Sequence, residues 1–359
     1  MKLGLVGLSA SGKTTLFNLL TGADEAMGFA SGRADAKVGM AVVPDKRVDY
    51  LSAMFKPRKT AYAQIECTDL PGLATGGGSE GSNQFLSAIR NVDALVQVAR
   101  AFDRSGVPHV LGSIDPARDL ELLHMELLLS DLGVVEKRIE RLRTGKKLSK
   151  ENQTELQALE RILPVLAAEG RVATLEFTEE ERGQLRGFSF LTERPVLVCI
   201  NLDDGQFRSR EYPGKEKLLA YAGEHGMPVL PICAELELEI SRLALEDREP
   251  FLADLNITES GIDRLARAAY SLLGLISFFT VGEDEVKAWT IEAATSARRA
   301  AGKIHSDIER GFIRAEVVKC RDLENLGSMA KVKDKGLFRL EGKEYPVEDG
   351  DIINFRFNV

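Results

Sequence analysis

This chain has no long apolar run. No stretch approaches the ~18 consecutive apolar residues of a membrane-spanning helix, so a membrane is not an expected partner. The apolar run after Lys2 is broken by Ser9-Ala10-Ser11-Gly12-Lys13-Thr14-Thr15, which does not suit a secretory signal. Cysteine is scarce. Cys67, Cys199, Cys233 and Cys320 lie far apart, with no C-x-x-C and no metal-ligand spacing. Three of them sit in strand-like apolar runs and read as small buried hydrophobes rather than redox centres. A reducing compartment follows, and a cytoplasmic location is expected. A basic excess is lacking too. With 47 Lys and Arg against 55 Asp and Glu, the formal net charge is −8. That argues against a protein that coats nucleic acid non-specifically, and DNA is not expected, although a local basic patch remains open. What is left is ordinary for a soluble globular protein of two or three domains: 359 residues, 44% hydrophobic and 28% charged.

Against that background one stretch stands out. Gly7-Leu8-Ser9-Ala10-Ser11-Gly12-Lys13-Thr14 fits G-x-x-x-x-G-K-[ST], the phosphate loop of nucleoside triphosphatases. Gly7 and Gly12 let the backbone curl so that N–H groups point at phosphate oxygens. Lys13 carries a point charge for the β- and γ-phosphates, and the Thr14 hydroxyl suits Mg²⁺. Ala10, Ser11, Gly12, Lys13, Thr14 and Thr15 are therefore the expected phosphate-side contacts. The preceding KLGLVG reads as a buried strand and the following KTTLFNLLTG as a helix, whose N-terminal end favours an anion.

Strands are expected at residues 38–44 and 61–69, with a short helix at 48–55 between them. The second strand ends in Asp69-Leu70-Pro71-Gly72. A D-x-x-G one strand downstream of a phosphate loop has a role: Asp69 can hold Mg²⁺ through water, and the Gly72 N–H can sense the γ-phosphate. The glycine-rich run from Thr75 to Gly81 reads as a switch segment. A helix over 83–93 and a buried strand over 94–100 follow.

From Asp115-Pro116 to about Phe190 the pattern becomes helical. Leu120, Leu123, Leu127, Leu128, Leu132, Val135, Ile139 and Leu142 recur at helical spacing, then a turn at Thr144-Gly145-Lys146 leads into a second helix through Leu156–Leu166. This is an antiparallel helical hairpin. Its tip is basic, with Lys137, Arg138, Arg141, Arg143, Lys146, Lys147 and Lys150 against Glu136 and Glu140, and suits a solvated helix end or a phosphate-backbone contact to structured RNA. Strands return at 195–201 and 227–235, the first ending in Asn201-Leu202-Asp203-Asp204, and a helix spans 262–273. From Leu275 onward, strand-like FIRAEVV, FRLEGKEYPV and IINFRFNV surround a helix at 297–309, a compact α+β unit of β-grasp type.

With the phosphate loop, D-x-x-G, N-x-x-D and a β-grasp unit in this order, the chain resembles the YchF/Obg-like ATPase family. Its most specific matching stretches are NQFLSAIRNVDALV, HVLGSIDPARDLELLHMELLLSDL, AAGKIHSDIERGFIRAEV and DGDIINFRFNV. The resemblance implies an α/β P-loop NTPase (G-domain) core over 1–115 and 191–274. A helical hairpin is inserted at 116–190, and a C-terminal β-grasp (TGS) domain covers 275–359. It implies an ATPase that uses Mg²⁺, acts as a monomer, and binds the ribosome and its rRNA through the hairpin tip and TGS domain, regulating translation or the stress response. A hydrophobic residue replaces the water-orienting Gln of Ras-like proteins, here Leu73. A loop histidine, here His109, is proposed to act on the attacking water. His124 and His225 lie within or near helices and carry no such expectation.

Three departures from the family pattern matter. The loop reads Ser9-Ala10-Ser11, so Ala10 replaces an Asn that can ligate a monovalent cation in K⁺-activated relatives. The switch Thr that completes Mg²⁺ coordination is replaced by Arg33, with Ser31 the nearby hydroxyl. Base reading falls to Asn201, Leu202 and Asp204, with Cys233 and Ala234 beside the base contributing backbone N–H groups. An aligned Asp204 would suit guanine, whereas the family's Asn-x-x-Glu tolerates adenine. ATP is expected ahead of GTP. The alternatives are a GTPase of the same architecture and a non-hydrolysing, nucleotide-gated ribosome- or RNA-binding module.

Overall fold

Short apolar runs alternate with amphipathic helices, and that alternation builds a parallel sheet. The computed structural model describes residues 1–22, 37–73, 79–145, 149–255 and 257–358. Ser31 and Arg33, the run 75–78, and the tip lysines Lys146 and Lys147 lie outside them.

In chain order the first elements are β1 (Lys2–Gly7), α1 (Lys13–Thr21), β2 (Lys37–Val43), α2 (Lys46–Phe55), β3 (Lys59–Ala61), β4 (Ala63–Asp69), α3 (Ser79–Ile89) and β5 (Ala94–Arg100). Then come α4 (Pro116–Thr144), α5 (Lys150–Ala167), α6 (Glu179–Leu185), β6 (Val196–Asn201), α7 (Asp204–Ser209), α8 (Lys215–Glu224), β7 (Val229–Ile232) and α9 (Ala234–Arg242). The chain closes with α10 (Leu245–Asp254), α11 (Gly261–Leu272), β8 (Leu275–Val281), β9 (Glu285–Glu292), α12 (Ala297–Ile304), β10 (Phe312–Lys319), β11 (Arg339–Glu341) and β12 (Asp351–Phe357).

The first sheet has the order β2-β4-β1-β5-β6-β7. β1 runs parallel to β4 and β5, β5 to β6, and β6 to β7. β5 and β6 are buried along their whole length, as strands covered by helices on both faces must be. Parallel strands place their C-terminal ends at one edge, so Gly7, Asp69, Arg100 and Asn201 end neighbouring strands there. The apolar stripe of α4 is shared. Leu120, Leu123 and Leu127 join the sheet's core, whereas Leu128, Val135, Ile139 and Leu142 pack with Ala158, Leu159, Ile162 and Leu166 of α5 in the hairpin's own core. Asp115 caps α4 by accepting from the Arg118 N–H at 3.0 Å, and Pro116 occupies the first turn, where its missing N–H is harmless.

By contacts the chain divides into two units, Met1–Gly39 with Glu66–Leu265, and Met40–Ile65 with Ala266–Val359. This division differs from the expected one, because residues 40–65 group with the C-terminal part. The strand expected over 61–69 is in fact two strands in two sheets. β3 pairs in parallel with β9, Lys59 opposite Glu285 and Ala61 opposite Lys287, and the break falls at Tyr62, whose hydroxyl donates to Asp49. The second sheet runs β11-β10-β12-β8-β9-β3. Its β8 and β9 went unrecognised in the sequence, although EVKAWTIE has the near-alternating burial of a half-buried strand. The helix expected over 297–309 breaks at His305. FRLEGKEYPV forms a strand only over Arg339–Glu341, and MPVLPICAE only over Val229–Ile232.

Candidate nucleotide-binding site

The phosphate loop is held by features that tolerate no side chain. A Cβ on Gly7 would lie 2.6 Å from the Val98 carbonyl oxygen. Gly12 takes a left-handed φ of 89°, and a Cβ there would lie 2.2 Å from Nδ2 of Asn201. Gly12 caps α1 without a side-chain hydrogen bond, so no side chain competes for the first-turn N–H groups that an anion would use. Ala10 also has a positive φ, 62°, which costs an L-residue about 1–2 kcal/mol. Ser11 is buried, and its hydroxyl has no hydrogen-bond partner among the described residues.

Lys13, Thr14 and Asp69 meet at the rim of this loop. The Lys13 ammonium is paired with the Asp69 carboxylate and donates to the Leu70 carbonyl at 2.6 Å. The Thr14 hydroxyl donates to the other Asp69 oxygen at 2.9 Å. Two hard oxygen donors side by side, one of them a carboxylate, suit Mg²⁺, which takes few protein ligands and completes its shell with water and phosphate. Gly72 lies against the same loop: a Cβ on it would be 3.5 Å from the Gly7 carbonyl oxygen and 3.8 Å from the Ser9 nitrogen. Leu73 turns away and is buried with Leu8 and Leu70 in the sheet's core.

Beside the loop lies a cavity of about 540 Å³. Ala10, Gly12, Thr15, Leu202 and Ala234 line it, as expected of the phosphate and base contacts. Asn201 also lines the cavity, and its side chain has a further part. Its Nδ2 donates to the Ser11 carbonyl at 3.0 Å and its Oδ1 accepts from the Ala234 N–H at 3.1 Å. The side chain therefore ties the phosphate loop to the start of α9, and the Ala234 N–H is already engaged. Cys233 is buried as the residue before α9, and burial pushes its thiol above the ordinary range.

Asp204 is not among the cavity's lining residues. It is exposed at the start of α7, pairs with Arg208 at 2.9 Å, and lines a separate cavity of about 790 Å³ that shares the Leu202 wall. Asp203 lines the first cavity instead, and one of its oxygens accepts from the Gln206 N–H at 2.8 Å. His109 is likewise absent from the lining. It is buried, with Nε2 2.8 Å from Asp119 and Nδ1 accepting from the Leu111 N–H at 3.1 Å. An acceptor at Nδ1 leaves the proton of a neutral ring on Nε2, donated to Asp119. Sequence reading also missed one whole wall, Phe102, Arg104 and Val107 from the loop after β5, together with Glu239 and Arg242 of α9. The available signal was position: a loop leaving the strand next to a phosphate-loop strand, at the carboxyl edge of the sheet, borders the ligand crevice.

Known proteins share the sequence and the fold of this chain. Residues 2–130 match the family model described as 50S ribosome-binding GTPase, and residues 275–358 match the YchF GTPase C-terminal family, described as a protein of unknown function. The curated ribosome-binding ATPase YchF of Bacillus subtilis is 42% identical, with 99% of each chain covered. The chain belongs to the YchF family. The YchF protein of Escherichia coli O157:H7 is 39% identical over 100% of this chain and 99% of its own. The structure of the Schizosaccharomyces pombe YchF GTPase superposes with a TM-score of 0.87 at 30% identity, covering 99% of this chain and 97% of that one. As in a YchF protein, the α/β core carries a helical hairpin and a C-terminal α+β domain. At the tip of the YchF hairpin two of the expected free cations are paired: Arg138 with Glu155 at 2.6 Å and Arg143 with Glu160 at 2.6 Å. Lys137, Arg141 and Lys150 are exposed.

Proposed function

We propose that this chain is a Mg²⁺-dependent purine nucleoside triphosphatase that takes ATP ahead of GTP and binds the ribosome, its nucleotide state regulating translation or the stress response. The carrying observation is the meeting of Lys13, Thr14 and Asp69 on a phosphate loop whose Ala10 and Gly12, with the following Thr15, line a cavity of about 540 Å³. Lys13 stabilises charge on the β- and γ-phosphates, and Gly72, packed on the loop, reports the γ-phosphate to the segment after it. Thr14 and Asp69 would hold Mg²⁺, which neutralises the phosphate oxygens when bound. Thr15 and Ala10 border the phosphates, and Phe102 lines the same cavity as an apolar wall for the base. Preference for adenine is favoured by two features: Leu202 stands where a Lys covers guanine, and Asp204 is paired with Arg208 outside the cavity. Ribosome binding and ATPase activity are in the names of the relatives, and the exposed Lys137, Arg141 and Lys150 supply charge for rRNA phosphates.

Calorimetric titration of the chain with ATP, ADP, GTP and GDP, alongside phosphate release with Mg²⁺ and ribosomes, tests this reading. Lys13→Ala should lower phosphate release about a hundredfold or more. Release no higher in the parent than in Lys13→Ala would end the enzymatic reading. For the partner, Arg141→Glu with Lys150→Glu should reduce ribosome co-sedimentation and make what remains less sensitive to salt; unchanged binding would remove the hairpin tip from the interface. One observation favours the second reading, a nucleotide-gated module without turnover. With Leu73 in the core and His109 bonded at both ring nitrogens, the histidine expected to act on the water does not line the cavity.

A further inference from the structure

Arg100, the last residue of β5, is the largest fully buried side chain among the described residues, 1% exposed. A buried cation normally has a carboxylate partner, because desolvating it alone costs several kcal/mol. Arg100 has none among the described residues. Carbonyl oxygens alone hold its guanidinium: Nε donates to Phe102 at 3.1 Å, one Nη to Val107 at 2.8 Å, and the other, at a longer 3.5 Å, to Ala10. Its Cζ also lies over the Phe102 ring, 4.6 Å from the centroid.

These acceptors come from two segments that line one cavity. Ala10 belongs to the phosphate loop, and Phe102 and Val107 to the loop after β5; all three line the 540 Å³ cavity. Ala10 sits in a left-handed conformation that it does not favour by itself, so the phosphate loop needs an external hold at that residue. Only a planar fork with five donors can reach three carbonyls in fixed directions; an ammonium is a point charge on a flexible stem.

We propose that Arg100 is a positioning residue for the nucleotide, its guanidinium holding the phosphate loop and the 102–107 wall at the separation that a bound triphosphate requires. This rests on the nucleotide-binding reading above. It gives a buried cation that forms no ion pair among the described residues a purpose, at the end of β5, where its guanidinium reaches both the phosphate loop and the loop that follows.

The test uses the full chain as Arg100→Lys and Arg100→Met, titrated calorimetrically with a non-hydrolysable ATP analogue and Mg²⁺, with thermal unfolding of each chain measured without ligand. Both variants should bind the analogue about tenfold more weakly or worse. The Arg100→Met midpoint should stay within about 3 °C of the parent, because relief of the buried charge offsets the lost carbonyl bonds, and that of Arg100→Lys, whose ammonium still bonds part of the carbonyl set, should fall by less than about 10 °C. If Arg100→Met does not fold, Arg100→Lys carries the test, since it keeps the cation and the stem but not the fork. Binding within about twofold of the parent in Arg100→Lys overturns the proposal. So does an affinity loss accompanied by a midpoint fall of more than about 10 °C in that variant, which is what a merely structural arginine would give. A parent chain that binds no analogue overturns the nucleotide reading itself, and the positioning role with it.

Discussion

At the scale of single residues, Asn201 shows how a motif position can carry more than one duty. In the linear sequence it opens an N-x-x-D segment and reads as a base contact. In the fold its amide joins the Ser11 carbonyl to the Ala234 N–H, both buried. Asn201→Ala leaves one buried acceptor and one buried donor unpaired, each costing about 1–3 kcal/mol. Denaturant unfolding should therefore register a loss of about 2–4 kcal/mol, with weaker nucleotide binding; a loss under about 1 kcal/mol would mean that water replaces the amide without penalty. The phosphate loop was legible because its glycines, lysine and threonine act through local geometry. Asp204 and His109 were not, because where a side chain points depends on neighbours distant in sequence. Asp203 took the capping position of α7 and left Asp204 facing Arg208, and Asp119, ten residues on, captured His109.

At the scale of elements, α4 does the most. Periodicity alone located it, since a 29-residue helix repeats its apolar stripe many times. Its division between two cores was not legible, because both halves present the same kind of stripe. Two polar residues fasten it. Asp131 is buried and accepts from the Leu191 and Thr192 N–H groups at 3.0 and 2.8 Å and from the Thr192 hydroxyl, which fixes the return from the hairpin to β6. His124 packs against Tyr221 of α8 and His225, which caps that helix, with Nδ1 2.5 Å from the Tyr221 hydroxyl and Nε2 without a partner among the described residues. Burial, then the neighbouring His225 and Arg171, hold its imidazole down at about 4, from 6.5. The neutral form is the folded one, so this group's contribution is level above pH 6.5. Between pH 6.5 and 4 the unfolded chain takes up a proton that the folded chain refuses, and stability falls by up to about 3 kcal/mol. Unfolding followed from pH 8 to 4 should show that decline, and His124→Phe should flatten it. An equal slope in the variant would assign the decline to other groups.

At the scale of the whole molecule, the two contact units do not follow the chain order that the sequence suggests. Residues 40–65 lie between two strands of the phosphate-loop sheet in sequence, yet they supply α2 and β3 to the C-terminal unit. Arg47 is a fastener of that unit. It bonds Asp45 at 2.9 Å and Asp349 at 2.6 Å, and lies 5.0 Å from the centroid of Phe279. Arg47→Ala should destabilise the C-terminal unit by about 1–2 kcal/mol, read as faster amide exchange in β8 and β9 with exchange in β5 and β6 unchanged; equal acceleration in both sheets would show that Arg47 acts on the whole chain. The sequence by itself determined the nucleotide loop, the D-x-x-G, the hairpin and the family, because each is written in local spacing, in periodicity or in stretches long enough to match relatives. Only the tertiary structure decided that residues 61–69 divide between two sheets, that Asn201 braces the loop, that Asp204 faces away from the cavity, and that Arg100 lies buried behind it. Those outcomes depend on which strand edges and polar groups are left free once the chain has closed on itself. No local pattern encodes that.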